Sequence, residues 1–173
     1  MVDLGTLANI ADIIGALTVI GGAAFAFVQL RQYRIQRQDN AAIELMHSFY
    51  SPDLARAVRL IRQLPDECVA ADLRARGGEY EEAAIIISTT FEAIGLLVFR
   101  GMTPFSIVEE LTGGLTVLMW RKLRRWTYDV RAENTQPSWA EWFQWLAERL
   151  REHAGDKEAA PAYSRFSSWR PRS

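Results

Sequence analysis

The longest apolar run of the chain lies near its start, from Ile13 to Leu30, and contains no charged side chain. At a helical rise of about 1.5 Å per residue this run is roughly 27 Å long, close to the hydrocarbon thickness of a bilayer, which is about 30 Å. No Lys or Arg precedes the run, whereas a secretory signal peptide begins with basic residues. The pattern predicts an N-terminal transmembrane helix within residues 1–30. A buried helix of a soluble core is the alternative.

Three arginines follow the apolar run directly, at Arg31, Arg34 and Arg37. Cytoplasmic flanks of membrane spans are enriched in Lys and Arg, so the N-terminus is predicted to lie outside and the body in the cytoplasm. The single Cys68 agrees with a reducing compartment.

Small residues recur every three or four positions along the predicted span. Such a stripe lets membrane helices approach closely, so it predicts a homo-oligomer formed through the span. Alternatively, these residues reflect only the frequency of Gly and Ala in membrane helices. The stripe consists of Ala11, Gly15, Thr18, Gly22 and Ala26.

Helical periodicity continues through the rest of the chain, which predicts an all-α fold. Residues 31–50 are expected to extend the span as a helical stalk. Residues 51–154 are long enough for a cytoplasmic bundle of about five to six helices, and residues 155–173 are expected to form a disordered tail. Helix starts are predicted at Ser51-Pro52, at Thr103-Pro104 and at the capping box Ser138–Glu141, and helix ends at Gly101 and Gly113-Gly114.

The most apolar segment of the body, Ala83–Phe99, carries Glu92 in its middle. An acid near the centre of a span costs about 2.5–3.5 kcal/mol on insertion scales, so a central bundle helix is favoured over a second span. Glu92 shares a helix face with Ser88 and Thr89 through three- and four-residue spacing. A buried carboxylate needs a partner, and Trp120 and Arg124 are the predicted donors. Glu92 is interpreted as a structural acid, with ligand binding or proton handling as the alternative.

Charge and composition exclude several functions. The formal net charge of −1 argues against a nucleic-acid partner. Only His47, His153 and Cys68 offer imidazole or thiolate ligands, and no metal, phosphate-loop or nucleophile motif is present, so no cofactor and no enzyme activity are predicted. The basic segment Arg121–Arg125 is expected to be a solvated face paired with Glu79, Glu81 and Glu82, with contact to anionic lipid as the alternative.

A further set of residues carries a family resemblance: Val28–Tyr33, Ser51-Pro52-Asp53, Phe91–Val98, Gly101, Trp120, Arg131, Trp139 and Phe143. Together they resemble a bacterial family of short single-span membrane proteins of unknown function with an all-helical cytoplasmic domain. The resemblance covers roughly residues 8–150 and departs from the family pattern at Asp12. It implies the fold, the anchor and a bacterial inner-membrane location, but no activity.

The leading hypothesis is a membrane-anchored protein-interaction or structural module that binds the lipid bilayer and an unidentified protein partner. A membrane effector acting by oligomerisation of its span is the second hypothesis. The third is a small-ligand sensor or enzyme that uses Glu92, and a pocket of several hundred Å³ beside that residue would favour it.

Overall fold

The computed structural model describes residue 15 and residues 18–32, 51–155 and 162–171. Within these ranges every regular element is an α-helix, which confirms the predicted all-α fold. The chain divides into two units, Met1–Ile43 and Glu44–Ser173. The helices are α1 (residues 18–32), α2 (Pro52–Arg62), α3 (Ala70–Ala75), α4 (Gly78–Phe99), α5 (Phe105–Asn134), α6 (Glu141–Ala154) and α7 (Ala162–Arg165).

The predicted start at Ser51-Pro52 is confirmed by the geometry of α2. The Ser51 hydroxyl accepts a hydrogen bond from the Leu54 amide at 3.5 Å, and Pro52 occupies the first turn, where its missing N–H costs nothing. The buried face of α2 carries Leu54, Ala57 and Ile61.

The central element of the second unit is α4, which packs against α2 on one side and α6 on the other. Its buried side chains include Ile87, Phe91 and Ile94, and Phe91 stacks on Phe143 of α6 with ring centroids 5.2 Å apart. Among the described residues α4 is the helix long and apolar enough to cross a membrane, by length and composition alone. Its packing on both sides favours the predicted role of central bundle helix.

The prediction that a helix ends at Gly113-Gly114 is wrong, because α5 runs unbroken for 30 residues. A glycine in a helix costs about 1 kcal/mol relative to alanine, and the stabilisation from tertiary packing can outweigh this cost. Gly113 is buried, and a Cβ at this position would lie 3.5 Å from Cδ2 of Leu150 in α6. Thr103 forms no side-chain cap, and Pro104 takes the N-cap position.

The predicted capping box at Ser138–Glu141 is also wrong. The last long helix, α6, begins at Glu141, and its N-cap residue Ala140 has a left-handed backbone with φ 55° and no side-chain cap. The cap comes instead from a distant acid in α4, Glu92, as the site geometry shows.

Several predictions fall partly or wholly outside the described residues. Ala11, Arg34, Arg37, His47 and residues 33–50 of the proposed stalk belong to this group. In α1, which includes Arg31, every described side chain is exposed. In the segment predicted to be a tail, α7 forms a single helical turn with Tyr163 exposed.

Candidate ligand cleft at Glu92

Glu92 is half-buried in the middle of α4, and its carboxylate faces the first turn of α6. Oε2 accepts a hydrogen bond from the Phe143 amide at 2.9 Å, and the Trp142 amide also interacts with it. The first amides of a helix lack internal partners and favour a negative group, so Glu92 acts as the N-terminal cap of α6. Burial raises the pKa of Glu92, while the two amides act in the opposite direction and lower it.

The donor differs from the two that the sequence suggested. Arg124 forms an ion pair with Glu67, and the Trp120 ring packs edge-on against Phe143 at 5.2 Å between centroids. Both predicted donors therefore serve other contacts, and backbone amides take their place beside Glu92.

The close approach of α4 and α6 depends on Gly95. A Cβ added at Gly95 would lie 2.3 Å from the carbonyl oxygen of Trp142, which is far inside van der Waals contact. The absence of a side chain therefore allows the first turn of α6 to reach the Glu92 carboxylate one helical turn away.

The segment from Thr135 to Ala140 forms a wall next to Glu92 and is fixed by Arg131. The Arg131 guanidinium donates to the Trp139 carbonyl at 2.7 Å and to Oε1 of Gln144 at 2.8 Å. The Gln136 amide donates to the Arg131 carbonyl at 3.1 Å, after Thr135 ends α5 in the left-handed conformation. Arg131 thus holds the segment at both ends.

A cleft of about 320 Å³ lies between α4 and this wall. Two of its buried polar atoms, Ser88 Oγ and Trp139 Nε1, have no hydrogen-bond partner among the described residues. The Thr89 hydroxyl differs, because it donates to backbone carbonyls of its own helix. The cleft is lined by Ser88, Thr89, Glu92, Gln136, Ser138, Trp139 and Ala140.

The sequence predicted one side of this cleft, the polar face of α4, but not the opposite side. The helical spacing places Ser88, Thr89 and Glu92 on one face, as observed. The sequence indicated a capping box at Ser138–Glu141 and did not indicate that Trp139 and this segment form one wall of a cleft. The Arg131 contacts that position the wall reach residues 8 and 13 positions further along the chain. The three- and four-residue spacing of a helix does not predict contacts of this kind.

The basic segment Arg121–Arg125 pairs with acids other than those predicted. Arg121 and Lys122 both form ion pairs with Asp66, with nitrogen–oxygen distances of 3.0 Å and 2.9 Å. Arg125 pairs with Asp129 at 3.3 Å. The Lys122 hydrogen bond, with the Arg121 charge, lowers the pKa of Asp66. Glu79 and Glu81 pair instead with Arg56 and Arg74. These ion pairs favour the solvated-face interpretation, which stays a prediction.

The other residues considered for chemistry do not form a reactive group. Cys68 is buried, and its burial raises the pKa of its thiol, which disfavours the nucleophilic thiolate. His153 lies exposed, 3.7 Å from Glu109. In the described ranges no three His, Cys, Asp or Glu side chains gather closely enough to hold a metal ion.

A family model described as "Domain of unknown function (DUF4760)" matches residues 7–150, which include α2 to α5, most of α6 and the cleft. No curated protein matches the chain, and no solved structure does. The match covers well over half of the chain and assigns no biochemical activity. The chain belongs to the DUF4760 family, a family of unknown function.

Proposed function

We propose that the protein is a single-span bacterial inner-membrane protein whose helical cytoplasmic domain is a non-catalytic interaction module. The observation that carries this proposal is the surface of α1. Its apolar side chains are exposed, including Val19 at 72 %, Phe25 at 66 % and Phe27 at 69 %. No charge occurs in α1 before Arg31.

The distribution of these side chains favours lipid over a protein core as their surroundings. At about 100° per residue, Val19, Phe25, Phe27 and Val28 point in directions spread around the whole helix. A surface helix of a soluble protein has one apolar stripe and a polar opposite face. A helix that is apolar on every side suits a bilayer, and Arg31 at its end suits the cytoplasmic interface.

A non-catalytic role for the bundle is supported by the state of its reactive groups. The Cys68 thiol is buried. The cleft of about 320 Å³ beside Glu92 favours ligand binding there, as the third hypothesis expects, but Glu92 itself caps the first turn of α6. The proposed partner of the bundle is another protein, held near the membrane by the anchor. The proposed homo-oligomer rests on Gly15, Thr18, Gly22 and Ala26 alone among the described residues, and stays a prediction.

Charge insertion into α1 tests the anchor. We expect the parent chain to remain with bacterial membranes after an alkaline wash. Each arginine at mid-span costs about 2.5–3.5 kcal/mol, so Ile20→Arg combined with Ala24→Arg should move the protein to the soluble fraction. The matched control combines Ile20→Leu with Ala24→Leu and should stay in the membrane. Release of the parent chain by alkali, or membrane retention of the arginine variant, would overturn the proposal.

A further inference from the structure

We infer that the cleft beside Glu92 binds a small organic amine that also carries hydroxyl or carbonyl oxygens. The cleft is built entirely from described residues of the second unit. The inference is therefore independent of the proposed membrane anchor, and a failure of either leaves the other standing.

The Glu92 carboxylate provides the site for the amine. Its Oε2 atom is held by the Phe143 amide, and no described Lys, Arg or His side chain lies within ion-pair distance of the group. Arg131 acts on the carboxylate only through its charge at longer range, so the hydrogen bonds of Glu92 come from backbone amides and leave it acceptor capacity. A protonated amine supplies both the missing charge and the missing donors.

Ser88 and Trp139 provide the complementary donors. Ser88 lines the cleft but is only 1 % exposed, and its hydroxyl lacks the bond to a preceding carbonyl that helical serines commonly make. Trp139 Nε1 carries a hydrogen and can only donate. Buried donors without partners are costly. Both atoms expose almost no surface, so an oxygen acceptor on the ligand would pair with them after a rotation of the Ser88 and Trp139 side chains opens them to the cleft.

Charge selects against other classes of ligand. Glu92 is the one charged side chain in the cleft lining, so an anion would meet an unbalanced carboxylate. A metal ion would find one carboxylate and neutral oxygens, fewer charged ligands than Ca²⁺ or Zn²⁺ sites usually provide.

The volume of the cleft limits the size of the ligand. The volume of about 320 Å³ lies at the lower end of the range for small-molecule sites, about 300–1,000 Å³. Arg131 fixes the wall through the Trp139 carbonyl, so the cleft is organised before a ligand arrives. A molecule the size of an amino sugar fits this space.

The test uses the full chain in detergent micelles and three matched probes: glucosamine, glucose and glucuronate. Calorimetric titration, with saturation-transfer NMR for weak binding, should show saturable binding of glucosamine. Glucose lacks the amine and should bind at least about tenfold more weakly, the factor expected for one charge-assisted hydrogen bond. Glucuronate should bind more weakly still. Absence of saturable glucosamine binding, or equal binding of the three sugars, would overturn the inference.

Variants then locate the binding. Glu92→Gln keeps an acceptor for the Phe143 amide and should weaken glucosamine binding about tenfold to a hundredfold. Glu82→Gln removes an exposed acid from the same helix and should leave the affinity unchanged.

A second pair keeps the test valid if Glu92→Gln fails to fold. Trp139→Phe retains the ring but loses the Nε1 donor, and should weaken binding several-fold. Trp145→Phe makes the same change in α6 outside the cleft lining, and should leave the affinity unchanged. Unchanged affinity in Glu92→Gln, or in Trp139→Phe when the former does not fold, would place the ligand elsewhere and overturn the assignment.

Discussion

At the scale of single residues, the balance at Glu92 is set by two opposing effects. Removal from water penalises the charged carboxylate, whereas the amides of Phe143 and Trp142 favour it. The neighbouring Glu141 raises the pKa further, and Arg131 lowers it. Burial is the largest of these effects, so the pKa of Glu92 lies above its ordinary value in the folded protein.

This direction predicts how the stability of the bundle depends on pH. A group whose pKa is raised by folding contributes its stability fully below its unfolded pKa and loses it as the pH rises through the folded value. Glutamine does not titrate, so the Glu92→Gln variant does not lose stability in this way as the pH rises. We therefore expect the melting temperature of Glu92→Gln, relative to that of the parent, to increase as the pH is raised above the ordinary glutamate pKa.

The comparison with the parent removes the contributions of other acids. Asp66 and Glu133 have lowered pKa values because of Lys122 and Arg74, so their contributions are lost as the pH falls. Both acids are present in each protein and cancel in the difference. Thermal melts of the two proteins across the acidic range give the result, and a constant difference would show that the Glu92 pKa is not raised.

At the scale of helices, the contact between α4 and α6 depends on the lack of a side chain at Gly95. A methyl group there would meet the Trp142 carbonyl, and backbone cannot move aside as a flexible side chain can. Overpacking of this kind costs about 1–3 kcal/mol, so Gly95→Ala should lower the melting temperature of the protein.

Gly114 provides the matched control for Gly95. It lies exposed in the interior of α5, and a Cβ at that position has no atom within 4 Å. Gly114→Ala should therefore raise stability by about 0.5–1 kcal/mol, because alanine favours the helix. Equal effects of the two substitutions in thermal melts would show that the helices do not meet closely at Gly95.

The helices also show which features the sequence could predict. The start of α2 was predictable because Ser51 and Pro52 act on their own first turn. The continuity of α5 was not, because Gly113 fits against Leu150 of another helix. The start of α6 and the donor to Glu92 were missed for one reason: the cap is formed between residues 51 positions apart. The polar face of α4 was predictable from spacing, but its opposing wall at Trp139 depends on a bond from Arg131, eight residues earlier in the chain and beyond the spacing of one helical turn.

At the scale of the whole molecule, the central claim is that one span separates an external N-terminus from an internal helical body. The second apolar helix, α4, satisfies the length and composition of a span, but Phe91 and Ile94 lie in the bundle core. A single span therefore predicts that the residues before it and the residues after it lie on opposite sides of the membrane.

Cysteine accessibility in intact bacterial cells tests this topology most directly. In a Cys68→Ala background, Val2→Cys should react with a membrane-impermeant maleimide in intact cells. Ser168→Cys, at an exposed position, should react only after the cells are permeabilised. Labelling of position 168 in intact cells, or protection of position 2 until permeabilisation, would contradict a single span with the helical body in the cytoplasm.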